Sequence, residues 1–246
     1  MGKRLVSDLK DINSLLDLGS GDGTITLQFA KVLGAKELYA IEYQDEMHQL
    51  LIEKGIKVSK LDVNETWHYS DEFFDFVLSS QNIEHVHRSR HYLEECYRVI
   101  KPGGHLLIMT ENLASWPNIL ALLLGWQPFS TTPIEGWIVG NPYAVHGDAA
   151  TTPTKEAGRI QIENSQFAQK YYQTGISGTT GHVRVLSYEG LKALMIKTGF
   201  ESILVDSTGF PPFSGKIAEI LHGISRKHGH FLLGFGRKPI PGVTSL

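Results

Sequence analysis

The stretch Ser14-Leu15-Leu16-Asp17-Leu18-Gly19-Ser20-Gly21-Asp22-Gly23 most narrows what this chain can fold into. Its apolar run reads as a buried strand, its alternating glycines as a tight turn, and the amphipathic segment from Thr24 as a helix. Glycine adopts dihedrals closed to other residues and lets a ligand approach the main chain. The helix start behind the turn presents N–H groups without intrahelical partners, which suit a carboxylate or a phosphate. A turn without any ligand has the same local pattern, so the rest of the chain has to decide. A dinucleotide fingerprint, G-x-G-x-x-G, would place its third glycine at position 24. Thr24 stands there, and Gly23 comes one residue early.

The segments that follow alternate between the two periods. Ile25, Phe29 and Val32 recur at helical spacing up to Gly34, and Glu37–Glu42 reads as a second strand ending in an acid. Asp45–Lys54 reads as a helix closed by Gly55, and Lys57–Asp62 as a third strand that also ends in an acid. Phe73–Ser79 is a fourth strand. Leu93, Cys96, Tyr97 and Ile100 mark a helix that Lys101-Pro102-Gly103-Gly104 stops before a fifth strand, His105–Met109. A helix from Ser187 to Gly199, a sixth strand Glu201–Asp206, a helix near Ile217–Ile224 and a seventh strand Phe231–Phe235 complete the pattern. Strands alternating with helices imply an α/β protein with a doubly wound, mostly parallel seven-stranded sheet.

Residues 112–181 break this rhythm. They hold five of the ten prolines and three of the four tryptophans. A structureless loop of that length is unusual inside a compact domain. The expectation is therefore a cap after the fifth strand, inserted into a domain made of residues 1–111 and 182–246.

Composition excludes several classes. A net charge of −3 and 20% charged residues leave no basic footprint for nucleic acid. The single cysteine, Cys96, rules out an internal disulfide and fits a reducing compartment. The N-terminal residues lack the apolar run of a signal peptide, and the longest apolar stretch, Ile119–Leu124, is far short of a membrane span. A cytoplasmic location is expected. No histidine, cysteine and acid cluster has the sequence spacing of a metal site, so none is expected.

The ordered set of motifs resembles the class I S-adenosylmethionine-dependent methyltransferases. Asp17-x-Gly19-x-Gly21-x-Gly23 is similar to their cofactor loop, and Glu42 to the acid that grips the ribose hydroxyls. Asp62-Val63 falls at the adenine position. Phe74–Ser80 with Ile83-Glu84-His85-Val86 resembles the fourth-strand block, Arg98–Gly104 the turn into the fifth strand, and Gly199-Phe200-Glu201 the entry to the sixth. The resemblance implies a Rossmann-like methyltransferase fold with an antiparallel seventh strand. It implies S-adenosylmethionine as cofactor, held by Asp17, Gly19, Ser20, Gly21, Gly23, Glu42, Tyr43, Asp62, Val63, Ser79, Ser80 and Gln81. The chain departs from many relatives in having only about thirteen residues before the first strand, where a longer helix often covers the cofactor.

The chemistry of that cofactor agrees with the residue types. A carboxylate such as Glu42 can accept from two ribose hydroxyls. The turn amides suit the methionine carboxylate. Asp17 and the backbone at Ser79–Gln81 can meet the ammonium. The plainer reading makes Glu42 a solvated strand-end acid and Asp62 a local cap. For transfer to a hydroxyl, a base is useful. His85, His146 and His182 are the candidates, with Tyr143 and Arg184 near them, although surface or core histidines are the plainer reading among eleven. The expected acceptor is a small molecule or a glycan- or lipid-linked intermediate, methylated at oxygen, with Trp116, Leu120, Trp126 and their neighbours forming either its pocket or the insert's own core. The segment Asn112–Trp116 through Pro128 resembles methyltransferases encoded near surface-glycan genes, which implies a sugar hydroxyl. A non-catalytic cofactor-binding regulatory module is the rival from another class.

Overall fold

In a computed structural model of the chain, residues 2–9, 11–134, 137–143 and 182–242 are described. Five parallel strands come first: β1 (Ser14–Leu18), β2 (Glu37–Ile41), β3 (Lys57–Ser59), β4 (Phe74–Ser80) and β5 (Ile100–Glu111). Later come β8 (Glu201–Thr208) and β9 (Phe231–Arg237), with a small hairpin of β6 (Pro133–Ile134) and β7 (Trp137–Ile138) set apart. The main sheet has seven strands in the order β3-β2-β1-β4-β5-β9-β8. β9 runs antiparallel to both of its neighbours, and the remaining strands are parallel to one another. This is the doubly wound, Rossmann-like sheet implied by the alternating pattern, including its reversed seventh strand.

The strand order reverses at β1, where β2 lies on one side and β4 on the other. All five residues of β1 are buried, as its unbroken apolar reading requires. Helices α2 (Thr24–Leu33), α3 (Asp45–Glu53), α4 (Ser89–Val99) and α6 (Tyr188–Thr198) cover the two faces. One apolar layer joins Leu16, Leu18, Tyr92, Leu93 and Cys96 to Leu191 and Met195. The other joins Leu15, Phe29, Phe76 and Leu107 to Val6. Val6 belongs to a five-residue helix, α1 (Gly2–Val6), which occupies the place where a longer leading helix was missing from the sequence pattern. Cys96 is buried in the core, and burial pushes its thiol well up.

Two strand boundaries differ from expectation by three residues or more. β3 stops at Ser59 rather than Asp62, because Asp62 Oδ1 accepts from Asn64 N–H at 2.8 Å and turns the chain. β5 begins at Ile100, directly after α4. Phe74 pairs with Ile100 and Phe76 with His105, so Lys101-Pro102-Gly103-Gly104 are taken up as a bulge instead of a separate turn.

The first part of the inserted segment contains a helix, α5 (Trp116–Leu123). It is tied to the sheet through a buried polar network. Asn118 Nδ2 donates to Asn112 O at 2.9 Å and lies 2.8 Å from Ser130 Oγ, while Asn112 Nδ2 donates to the carbonyls of Lys227 and Gly229. On the opposite side stands α7 (Gly215–Ile224), in which no residue is buried. No helix among the described residues is long and apolar enough to cross a membrane.

Candidate functional site

Ligands of open α/β sheets bind beyond the strand C-termini at the point where the strand order reverses. Here that point is the gap beyond β1 and β4, and a cleft of about 1820 Å³ opens there. Its polar end is built by the glycine turn. Gly19, Gly21 and Gly23 have φ of +69°, +53° and +76°, the left-handed region that favours glycine. A Cβ at Gly19 would overlap the Asn82 amide, and one at Gly23 would come within 2.8 Å of Leu51 and 2.9 Å of Ile56. A Cβ at Gly21 would meet nothing within 4 Å, because that side is open. The turn therefore packs on α3 at one end and presents bare backbone to the cleft at its middle.

Glu42, just past β2, is buried and holds the turn in place. Its Oε2 accepts from Gly21 N–H at 2.8 Å and its Oε1 from Gln44 N–H at 2.9 Å. Asp17 lies beneath the turn, fully buried. Thr26 Oγ1 donates to its Oδ2 at 2.5 Å, and its Oδ1 has no hydrogen-bond partner. Burial pushes the Asp17 carboxyl up to about 7 against the pull of the Thr26 hydrogen bond. Ser20 Oγ is a second buried atom without a partner. The open backbone cradle with the Glu42 carboxylate beside it fits a ligand that carries a diol and a charged amino-acid tail.

The cleft brings together Gly19, Gly21, Glu42, Tyr43, Asp62, Val63, Ser80, Gln81, His85 and His182 from the expected set. Asp62 keeps only part of its carboxylate for a ligand, since Oδ1 serves the Asn64 turn. Glu95 and Arg98 hold the loop that carries Asp62 and Val63: Glu95 Oε2 accepts from Trp67 N–H at 2.7 Å, and Arg98 donates to the carbonyls of Trp67 and Tyr69. Gln81 has φ +51°, a strained value for a residue with a side chain, and its N–H donates to Met109 O. Asp17, Ser20, Gly23 and Ser79 do not line the cleft. Ser79 is turned into the core, 2.9 Å from Tyr92 Oη, and Gly23 packs on α3. Tyr143 is exposed at the cleft mouth and Arg184 is exposed away from it. His146 lies outside the described residues.

Beyond Gln81 the cleft passes a cluster of acids and imidazoles that sequence spacing does not disclose. Glu84 is fully buried in the turn Ile83–His85. Thr110 Oγ1 donates to its Oε2 at 2.8 Å, and Oε1 has no hydrogen-bond partner among the described residues. Burial raises the Glu84 carboxyl to about 7, partly offset by its hydrogen bonds and by His182. The rings of His85 and His182 stand 4.9 Å apart, edge to face. His182 Nδ1 lies 2.7 Å from Ser130 O and 3.5 Å from Glu111 Oε2. Val183 and Arg184 N–H both donate to Glu84 O, which fixes the segment re-entering from the insert. His230 also faces the cleft, its pKa lowered by burial against the pull of Glu111. Glu111 and His230 carried no motif, and Glu84 was visible only as the acid beside His85.

Past this cluster the walls become apolar. Trp116, Leu120, Leu124, Trp126 and Phe129 from the insert line the cleft, as do Phe210, Pro211, Pro212 and Leu221 from the stretch after β8.

A family model described as a methyltransferase domain matches residues 16–108. The chain is 29% identical over 127 residues to the mitochondrial ubiquinone biosynthesis O-methyltransferase of Rattus norvegicus, covering 48% of this chain and 36% of that one. It is 29% identical over 148 residues to a ubiquinone/menaquinone biosynthesis C-methyltransferase of Hydrogenovibrio crunogenus, covering 56% of this chain and 58% of that one. The chain thus spans between about a third and three fifths of the length of these relatives. The solved structure of a SAM-dependent methyltransferase of Thermotoga maritima shares the fold, with a TM-score of 0.56, 20% identity, and coverage of 96% of this chain and 87% of that one.

Proposed function

We propose that this chain, a class I S-adenosylmethionine-dependent methyltransferase by its methyltransferase-domain match over residues 16–108, methylates a hydroxyl oxygen on a small-molecule, glycan or lipid-linked acceptor. The observation that carries this reading is the continuity of one cleft. It joins the Glu42–Gly21 cradle to a carboxylate–imidazole cluster and then to apolar walls. When bound, S-adenosylmethionine supplies a methyl group already activated on a sulfonium. Glu42 would hold its ribose hydroxyls, Asp62 and Val63 its adenine, and the open main chain at Gly21 would receive its amino-acid tail. The backbone at Gln81, which lines the cleft, would serve its ammonium, and Asp17, buried beneath the turn, would act through the turn it supports.

The protein then has to align the acceptor oxygen and take its proton. His85 and His182, with Glu84 and Glu111 beside them, supply groups for that second task. The described part of the insert, residues 112–134 and 137–143, would act as a substrate-facing cap; residues 144–181 lie outside the described residues. Trp116, Leu120 and Trp126 support this role by lining the cleft from the insert's side. The apolar walls favour an acceptor with an aromatic or aliphatic body, as does the similarity to ubiquinone biosynthesis methyltransferases.

The test incubates the full chain with S-adenosylmethionine and three acceptor panels: hydroxy-aromatics, hydroxy-aromatics with an alkyl tail, and sugars. Product S-adenosylhomocysteine should form only with a hydroxylated acceptor. His85→Ala should lower kcat by roughly 10²–10⁴-fold while leaving the donor Kd unchanged. Donor binding without turnover on any panel would instead support the regulatory-module reading.

A further inference from the structure

We propose that Glu84, His85 and His182 form a binding site for a divalent transition-metal cation of the zinc class, at the junction between the polar and apolar parts of the cleft. One ligand atom from each of the three side chains lies within 4.8 Å of the others. A tetrahedral site with bonds of about 2.0–2.1 Å has edges of roughly 3.3 Å, so side-chain motions of up to about 1.5 Å complete the set. Two imidazoles and one carboxylate favour Zn²⁺ and its neighbours over Mg²⁺ or Ca²⁺, which prefer all-oxygen sites.

An independent observation points the same way. Glu84 Oε1 is buried, belongs to a side chain with 0% exposure, and has no hydrogen-bond partner among the described residues. Its other oxygen is oriented by Thr110, and His182 Nδ1 is oriented by the Ser130 carbonyl. Ligands of metal ions are held in this manner by outer partners, with the second atom of each left for the ion. The Ser130 contact makes Nδ1 the donor of His182 and leaves Nε2 as its ligand atom. Three protein ligands leave a further position open to the cleft.

This deepens the methyl-transfer reading, and it changes one assignment within it. With a cation in place, His85 and His182 are ligands that position and polarise the acceptor oxygen. Glu111, 3.5 Å from His182, is then the carboxylate left to receive its proton. Sequence spacing hid the set because His182 returns from the far end of the insert.

The experiment titrates Zn²⁺ alone into the full chain by calorimetry, without donor or acceptor, and follows Co²⁺ by its visible absorption. The expected result is one site, with affinity lowered at least tenfold in both His85→Ala and His182→Ala. Glu84→Gln should behave likewise if it folds, but Glu84 is buried, so the two histidine variants carry the test. His68→Ala and His222→Ala should bind as the wild type does. S-adenosylhomocysteine binding in each variant confirms that the fold is intact. Absence of one-site binding, or affinity unchanged in His85→Ala and His182→Ala, overturns the site. Cation binding and methyl transfer are read separately, so either can fail without the other.

Discussion

The Glu42 carboxylate accepts from Gly21 and Gln44 N–H groups, one on each oxygen, and each oxygen keeps a second lone pair for a ligand. Replacing Glu42 by Ala should therefore weaken S-adenosylhomocysteine binding by about 1.5–3 kcal/mol for each hydrogen bond lost to the charge. Calorimetry measures this directly, and an unchanged Kd would place Glu42 outside the site. Asp17 makes a different prediction. Its carboxyl titrates near 7 in the folded chain against an ordinary value of 3.8. Between these pH values the folded state keeps a proton that the unfolded chain releases. Stability should fall as pH rises through roughly 4 to 7 and level off above. Urea midpoints at pH 5 and pH 8 should differ less in Asp17→Asn than in the wild type. The slope should not vanish, since buried Glu84 titrates in the same direction. A pH dependence identical in both proteins would rule out Asp17 as the source.

The glycine turn separates two kinds of constraint within one element. Gly23→Ala adds a Cβ against Leu51 and Ile56 at a left-handed backbone, so it should destabilise the fold by about 1–3 kcal/mol. Gly21→Ala meets no neighbour; it should lose less stability and more cofactor affinity, because its methyl group enters the cleft. Chemical denaturation and calorimetry on the two variants separate these effects, and equal losses in both assays would contradict the division. This turn was legible in the sequence, as were the strands and helices flanking it, because each rests on local periodicity and backbone preference. Glu42, Tyr43, Asp62 and Val63 were legible for the same reason, standing at or just beyond strand ends. The bulge at Lys101–Gly104 was not, since a Pro-Gly-Gly run reads as a stop unless the pairing of Phe74 and Phe76 is known. The Glu84, His85, Glu111, His182 and His230 cluster was legible only at His85 and His182. Its members come from four separate segments and meet only once β5, β9 and the returning chain are assembled. For Ser79 the expectation concerned its backbone, and strand alternation sends its side chain to Tyr92 in the core.

Across the whole molecule, the site depends on sheet order more than on any loop. Leu232, in β9, is 1% exposed and packs in the same layer as Leu16 and Leu191. Leu232→Ala should cost about 2–5 kcal/mol of stability, measured by urea denaturation, though the residue lies far along the chain from the cofactor turn. A loss below half a kcal/mol would mean that this part of the layer is not closed. β9 also sits between β5 and β8, paired along both sides. A chain emerging from the ribosome must therefore hold β5 and β8 as two bare edges until residues 231–237 arrive to fill the gap. Unpaired edges are templates for association with other chains. The interval before β9 emerges is thus the time when this protein most depends on chaperones, and a truncation that removes β9 would leave a sticky, split sheet rather than a smaller domain.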